Sequence, residues 1–141
     1  MDRLRVLPRT SEEILQYAKK RNPFNHPCVM FRKESVLRAG SYQDFPGFED
    51  YYLWIRMLCR GCKGYNVQEI ILDMRTGNGM YDRRGGRDYL YWVLRFQRYL
   101  YCKKFITKKE YIQNCLVRTT VGAIPGGARE KFYHVFLRNG K

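Results

Sequence analysis

The sequence predicts an α/β unit followed by a basic helical tail, and two observations support this. Up to residue 74, segments with helical periodicity alternate with short apolar runs typical of buried strands, an order that favours an α/β layered architecture. The charge balance also changes along the chain. Residues 1–82 hold 13 basic and 10 acidic side chains, whereas residues 83–141 hold 14 basic and 3 acidic ones. We therefore divide the chain into residues 1–82 and 83–141, and the glycine-rich stretch where the composition changes is a loop.

The first helix is predicted to begin at Thr10 or Ser11. A hydroxyl side chain followed by Glu12 and Glu13 is a helix start signal, because acidic groups favour the first turn. The helix is expected to stop before Pro23, since the residue before a proline disfavours the helical conformation.

Two strands are predicted in residues 1–82. Residues 26–32 carry apolar side chains on both faces, which indicates a strand buried on both sides. Residues 65–74 contain three consecutive aliphatic residues and are interpreted as another strand. A short helix over residues 33–39 lies between them, and Gly40 is expected to end it.

The clearest helix covers residues 49–61. Its apolar residues recur at helical spacing and are predicted to fill one buried face; they are Tyr51, Tyr52, Ile55, Leu58, Cys59 and Cys62. Arg56, Arg60 and Lys63 are predicted to lie on the opposite, solvated side. Cys59 and Cys62 have metal-ligand spacing, but no second pair accompanies them, so buried thiols are the preferred interpretation.

The tail combines aromatic and cationic side chains. Residues 87–102 and 108–121 are predicted to form amphipathic helices, and residues 130–138 a last short one. This mixture is typical of helices at an anionic membrane surface. The alternative is that the helices pack on the rest of the protein and their cations are only solvated. We favour packing with a basic outer face, so the two interpretations overlap.

The acidic pair Glu49 and Asp50 stands at the start of the clearest helix. On a helical projection Asp50 lies at the edge of the apolar face, where a rigid, partly desolvated carboxylate suits a general base. The competing interpretation is that both acids merely favour the helix N-terminus. From the pair alone, this second interpretation is the better one.

Four segments that occur in order favour the catalytic interpretation of the acidic pair. They are NPFNHPCVMFRK, Gly40-Ser41-Tyr42, FEDYYLW and NVQEIILDMR. Together they resemble the second half of the catalytic domain of bacterial family 2 glycosyltransferases, which build capsular and other surface polysaccharides. The resemblance covers roughly residues 3–100, and the combination is far more specific than any one segment.

The resemblance implies a fold and a mechanism. The fold is the acceptor-side part of a GT-A nucleotide-sugar transferase sandwich, whose first half binds the donor through an Asp-x-Asp motif and a divalent cation, Mn²⁺ or Mg²⁺. Asp50 matches the base that takes the proton from an acceptor hydroxyl, with inversion at the sugar, and Glu49 accompanies it. The cation neutralises the departing nucleoside diphosphate.

Further substrate-binding residues follow from the resemblance. Trp54 matches an aromatic residue that shapes the acceptor pocket, and His26 is placed in the same cleft, with a structural histidine as the alternative. Arg75, Arg83 and Arg84 match a flap over the donor diphosphate, because arginine forks suit phosphate oxygens; a solvated basic loop is the alternative for them. Tyr52 stands where the family commonly has a further acid, and we expect it to pack in the core.

The sequence contains no Asp-x-Asp motif. We therefore expect the acceptor half of an enzyme that lacks the donor and metal ligands and is inactive alone. Its expected partners are a nucleotide-sugar, a glycan or lipid-linked acceptor, a separate nucleotide-binding half and an anionic membrane. Five cysteines without an apolar leader predict reduced thiols and a cytoplasmic location at the inner face of the plasma membrane. The alternative function is a non-catalytic basic module that binds anionic membrane or nucleic acid, although no nucleic-acid-binding signature is present.

Overall fold

The computed structural model of the chain describes residues 5–73 and 86–123, the last three by their backbone only. The chain divides into two compact units, Met1–Asp73 and Met74–Lys141. The described elements of the first unit are α1 (Ser11–Tyr17), a 3-10 helix (His26–Cys28), α2 (Lys33–Arg38) and α3 (Glu49–Leu58). Those of the second unit are α4 (Arg87–Cys102) and α5 (Lys108–Ala123). The helix predicted for residues 130–138 lies outside the described residues.

The start of α1 confirms the helix predicted from the hydroxyl and acidic residues. Thr10 is the N-cap, and its hydroxyl accepts a hydrogen bond from the Glu13 N–H at 3.3 Å. The Glu13 carboxylate in turn accepts from the Thr10 N–H at 3.0 Å, so the two residues form a capping box. Helix α1 ends well before Pro23, as predicted, and buries Ile14 and Ala18 completely.

The predicted strand over residues 26–32 is wrong. The proline at position 27 has a fixed φ and no N–H, which suits the 3-10 helix His26–Cys28 that the chain forms there. Val29 is extended, but no strand forms anywhere in the described residues. Met30 is 97% exposed, which contradicts the predicted burial on both faces. A strand needs a neighbouring ladder, and the pattern of apolar residues does not supply one.

The second predicted strand, over residues 65–74, is also wrong for its described part, residues 65–73. This segment runs beside the start of the chain, but it is tied there mainly by side chains. The Asn66 amide donates to the carbonyl oxygens of Pro8 at 2.6 Å and Pro23 at 3.1 Å. One backbone bond, from the Asn66 N–H to the Arg9 carbonyl at 3.1 Å, joins the two stretches. The following aliphatic residues are exposed, Ile70 by 71%.

Helix α3 packs on α2 to form a core of Val36, Ala39, Leu53 and Trp54. Arg56, predicted to be solvated, is only 5% exposed. Its guanidinium donates to the carbonyl oxygens of Ala39 and Ser41, each at 2.6 Å, so it satisfies carbonyls at and just after the C-terminal end of α2. Gly40, at φ +84°, ends α2 as predicted.

The predicted buried face of the 49–61 helix is only partly confirmed. Tyr51 and Ile55 are buried, but Cys59 is exposed and Cys62 is half-buried, so the expectation of two buried thiols is wrong for Cys59. The reason is that α3 ends at Leu58, with Gly61 at φ +77° shortly after, so these cysteines lie beyond the packed turns.

Both tail helices form where they were predicted, and α4 and α5 pack against each other as a hairpin. Its buried side chains include Val93, Phe96, Leu100 and Ile106. A polar pair is buried with them: the Asn114 amide donates to the Gln97 carbonyl oxygen at 3.0 Å. No helix in the described part of the chain is both long and apolar enough to cross a bilayer.

Candidate active site

Asp50 is held in one orientation at the first turn of α3. Its carboxylate is half-buried, and it accepts a hydrogen bond from the Asn22 amide at 2.7 Å through Oδ2. Through Oδ1 it accepts from the Tyr51 backbone N–H, also at 2.7 Å. A carboxylate oxygen has two acceptor sites, so each oxygen of Asp50 keeps one for a further donor.

The Asn22 side chain is itself fixed. Its carbonyl oxygen accepts from the Phe24 N–H at 3.3 Å, which is an Asx turn around Pro23. The amide group is thereby directed at Asp50, which lies 28 residues further along the chain. A loop before the 3-10 helix and the start of α3 are thus joined at the carboxylate.

Aromatic rings form a wall around Trp54. The Trp54 ring lies 5.7 Å from Phe24, 6.1 Å from His26 and 6.1 Å from Phe31, measured between ring centroids. The His26 ring also meets Tyr42 edge-on at 5.8 Å. Trp54 is 2% exposed, whereas His26, Phe31 and Tyr42 reach the surface. Trp54 therefore supports the exposed rings from beneath and offers almost no surface of its own.

Tyr42 links this aromatic wall to Asp50. Burial and then the negative charge of Asp50 raise the pKa of the Tyr42 hydroxyl above its ordinary value of 10.0. A phenol hydroxyl is protonated at neutral pH, so this group is able to donate a hydrogen bond. His26 contacts both Tyr42 and Trp54, and the charge of Asp50 acts on Tyr42, so we take these four residues as the candidate active site.

Glu49 does not join this cluster. It is exposed, and its carboxylate accepts from the Gly47 backbone N–H at 3.1 Å, two residues earlier. This contact stabilises the loop that leads into α3. Of the acidic pair, Asp50 contacts Asn22 and acts on Tyr42 through its charge, whereas Glu49 contacts the loop.

The remaining predicted site residues divide into two groups. Arg75, Arg83 and Arg84 lie outside the described residues. Tyr52 is half-buried, lies 4.8 Å from the Phe45 ring and lies under the Arg56 guanidinium at 4.5 Å, so it packs, as predicted.

Sequence reasoning did not single out Asn22 or give Tyr42 a role. Asn22 carried a usable signal, because asparagine before proline favours an Asx turn that directs the side chain. Tyr42 carried none beyond its position in the Gly40-Ser41-Tyr42 segment, since its approach to Asp50 depends on the path of the loop.

The resemblance places the cation ligands in the first half of the family's catalytic domain, outside this chain. Among the described residues, no three His, Cys, Asp or Glu side chains come together in a way that could hold a metal ion. Asp50 is instead engaged by an amide and a backbone N–H, which are donors and not co-ligands.

Curated proteins similar to this chain carry glycosyltransferase names. A UDP-Gal:α-D-GlcNAc-diphosphoundecaprenol β-1,3-galactosyltransferase of Escherichia coli is 37% identical over 125 residues, which cover 89% of this chain and 46% of that enzyme. The amylovoran biosynthesis glycosyltransferase AmsE of Erwinia amylovora is 42% identical over 89 residues, 63% of this chain and 34% of that protein. An uncharacterized glycosyltransferase of Haemophilus influenzae is 42% identical over 82 residues, 58% of this chain and 30% of that protein.

These relatives establish homology to glycosyltransferases, including one named for polysaccharide biosynthesis, over part of their length. The chain spans less than half the length of each of the three. Because 89% of the chain is more than its first unit contains, the similarity to the E. coli enzyme extends into the second unit. No protein-family model matches the chain, and no solved structure matches it.

Proposed function

We propose that this chain is the acceptor-side part of an inverting, family 2-type glycosyltransferase with a GT-A fold. The complete enzyme is proposed to transfer a sugar from a nucleotide-sugar to a glycan or lipid-linked acceptor in surface polysaccharide biosynthesis. The observation that carries this is the half-buried Asp50 carboxylate, fixed by two donors beside an aromatic wall. The name of the E. coli relative, which specifies a nucleotide-sugar and a lipid diphosphate acceptor, supports the substrate classes.

The proposed step needs one proton acceptor and one wall for the acceptor sugar. A free lone pair of Asp50 accepts the proton of an acceptor hydroxyl while that oxygen forms a bond to the anomeric carbon. The bond from the anomeric carbon to the diphosphate breaks on the opposite face, and the nucleoside diphosphate leaves with the electron pair. Exposed aromatic rings such as His26 and Tyr42 provide flat apolar surface for the face of a sugar ring.

Asn22 orients the base in this proposal. Its amide fixes Oδ2, and the helix backbone fixes Oδ1, so the carboxylate does not rotate between turnovers. Such fixation lowers the entropic cost of reaching the reactive geometry.

Donor binding is proposed to reside elsewhere. The resemblance assigns the donor and cation ligands to the first half of the family's catalytic domain, and this sequence has no Asp-x-Asp motif. A donor-binding part and its divalent cation are therefore proposed to act together with this chain, whether joined to it or separate. Without that part we expect no transfer.

A chimera tests the role of Asp50. The part of the E. coli relative that this chain does not cover is joined to this chain, and transfer is assayed with UDP-galactose and the acceptor in that enzyme's name. Asp50→Asn is expected to lower kcat by about a hundredfold or more, as loss of a general base does. Binding of UDP should be unchanged.

Glu49→Gln is the matched control, because it removes a neighbouring charge of the same kind. Its kcat is expected to stay within about threefold of the unmodified chimera, since that carboxylate faces the Gly47 loop. An active Asp50→Asn chimera together with a dead Glu49→Gln chimera would show that the wrong carboxylate was assigned.

A further inference from the structure

The outer face of α5 is apolar where a surface helix is normally polar. Ile112 is 48% exposed and Leu116 63% exposed, and their spacing of four residues places one above the other on the helix. Val117, beside them, is 47% exposed. On the buried side of the same helix stands Asn114, hydrogen-bonded to Gln97 inside the hairpin. The helix thus buries a polar side chain and exposes aliphatic ones.

Lysines border this aliphatic face. Lys108 and Lys109 line the same open depression, of about 550 Å³, as Ile112, Gln113 and Leu116. We call these five residues the α5 outer face. Two more exposed lysines, Lys103 and Lys104, precede them in the turn between α4 and α5. The protein thus presents cations next to exposed hydrocarbon at one end of the hairpin.

The sequence around these lysines is poor in acidic residues. Glu110 is the only acidic residue between positions 89 and 129. Its carboxylate accepts a hydrogen bond from the Thr107 backbone N–H at 2.7 Å and thereby caps the start of α5. Lys108 and Lys109 moreover stand in the first turn, where the helix dipole disfavours positive charge. Helix stability therefore does not account for their position.

The cations of α4 differ from those of the α5 outer face. The Arg95 guanidinium lies 5.2 Å from the centroid of the Trp92 ring and donates to the Tyr91 hydroxyl at 3.2 Å. It is therefore occupied by aromatic groups of its own helix. The α5 lysines instead border side chains that make no such polar contact.

Chemistry distinguishes the possible occupants. Protein–protein interfaces are depleted in lysine, which disfavours a protein partner. Single-stranded nucleic acid needs aromatic platforms for its bases, whereas this face is aliphatic. A bilayer surface accepts both components, because aliphatic side chains enter the headgroup boundary and lysines contact anionic headgroups. We propose that the α5 outer face seats the protein on an anionic lipid bilayer.

Vesicle flotation of the full chain tests this surface. The chain is mixed with phosphatidylcholine vesicles, with and without phosphatidylglycerol, at low and high salt. The expected result is strong binding only when phosphatidylglycerol is present. High salt should weaken that binding without abolishing it, because the aliphatic contact is not screened.

Two matched double variants locate the surface. Lys108→Gln with Lys109→Gln should lower the partition coefficient about thirtyfold, since each lysine at an anionic surface contributes about 1 kcal/mol and 1.4 kcal/mol is tenfold. Arg95→Gln with Arg98→Gln removes the same charge from α4 and should lower it about threefold at most. Equal losses in the two variants would overturn the assignment to α5.

A third variant tests the aliphatic part. Ile112→Gln with Leu116→Gln should remove the binding that persists at high salt. Both residues are exposed, so circular dichroism is expected to show an unchanged helix content.

Three other outcomes refute the proposal. Equal flotation with neutral and anionic vesicles would exclude an electrostatic contact with lipid. Absence of flotation with either kind of vesicle would exclude membrane binding by this face. A dimer in light scattering that Leu116→Gln dissociates assigns the same face to a second copy of the chain. The proposal does not depend on the chemistry of Asp50, so failure of either leaves the other intact.

Discussion

Helices α3 and α5 differ in the kind of side chain that each buries and exposes. In α3 the buried residues include a cation, Arg56, whose donors are satisfied by carbonyls at and just beyond the end of α2, and the aliphatic residue Leu53 is fully buried. In α5 the buried residue is Asn114, hydrogen-bonded to Gln97 of α4, while the aliphatic residue Leu116 is exposed. Helix α3 therefore finds its packing partners within its own unit, and the apolar face of α5 finds none among the described residues.

This difference separates two kinds of role. Helix α3 is anchored by the buried residues of its packed face and carries Asp50 in its first turn, which favours the fixed position that a catalytic carboxylate requires. The exposed aliphatic side chains of α5 contribute little to the stability of the fold. An exposed apolar patch of this kind is typical of a surface that contacts something outside the protein. The two tryptophans allow each region to be followed separately, because Trp54 belongs to α3 and Trp92 to α4.

The largest expected effect comes from one substitution made in both helices. Leu53→Ala should lower the free energy of unfolding by about 2–5 kcal/mol, because it opens a cavity beside Val36 and Trp54. Leu116→Ala should change it by less than about 0.5 kcal/mol, since that side chain is already in water. Urea titrations followed by Trp54 or Trp92 fluorescence, each in a background where the other is Phe, measure the two values.

Equal losses of unfolding free energy for Leu53→Ala and Leu116→Ala would contradict the difference in burial between α3 and α5. Leu116 would then be packed in solution against something that the described residues do not show, and the α5 outer face would not be free to meet a bilayer. A loss of stability in the Leu53 variant alone would support that difference and leave Leu116 available for an external contact.

The next effect concerns Arg56. Arg56→Met keeps most of the side-chain volume but removes the donors to the Ala39 and Ser41 carbonyls, and an unpaired buried carbonyl costs about 1–3 kcal/mol. We expect the unfolding free energy reported by Trp54 to fall by about 2 kcal/mol. Arg38→Met is the control, because Arg38 is an exposed arginine at the end of α2 and its loss should be close to neutral. A neutral Arg56→Met variant would mean that water satisfies those carbonyls.

Arg56 also shows where sequence reasoning stopped. The start of α1 and the end of α2 were predicted correctly from local signals, a hydroxyl with acidic residues and a glycine. The two tail helices were predicted correctly from the spacing of their apolar residues. The burial of Arg56 depends on where another helix ends, which the periodicity of α3 does not contain. The two strands failed for a related reason, since apolar runs predict burial and strands require a paired neighbour.

The candidate site, too, could be predicted from the sequence only in part. A helical projection and a family resemblance predict Asp50 as the base, and in the structure Asp50, but not Glu49, contacts Asn22. Its partner Asn22 lies 28 residues away, so only the fold brings the two together. The catalytic role of Asp50 stays a prediction, as do the roles of His26 and Trp54.

The smallest expected effect is a pH dependence at the start of α1. Hydrogen bonds from the backbone N–H groups of Thr10 and then Arg9 lower the pKa of Glu13 below its ordinary value of 4.5. A carboxyl group whose pKa is lower in the folded than in the unfolded protein stabilises the fold above the unfolded value, and this stabilisation is lost as the pH falls through the folded value. Glu13→Gln should therefore make the Trp54-reported stability decline less steeply on acidification below about pH 4.5. Glu110→Gln removes the matching cap of α5 and should affect only the transition reported by Trp92. Identical acid profiles for the unmodified chain and Glu13→Gln would show that this cap contributes nothing to the stability of the unit that contains α3. The two units would then differ in their packed side chains and not in their helix caps.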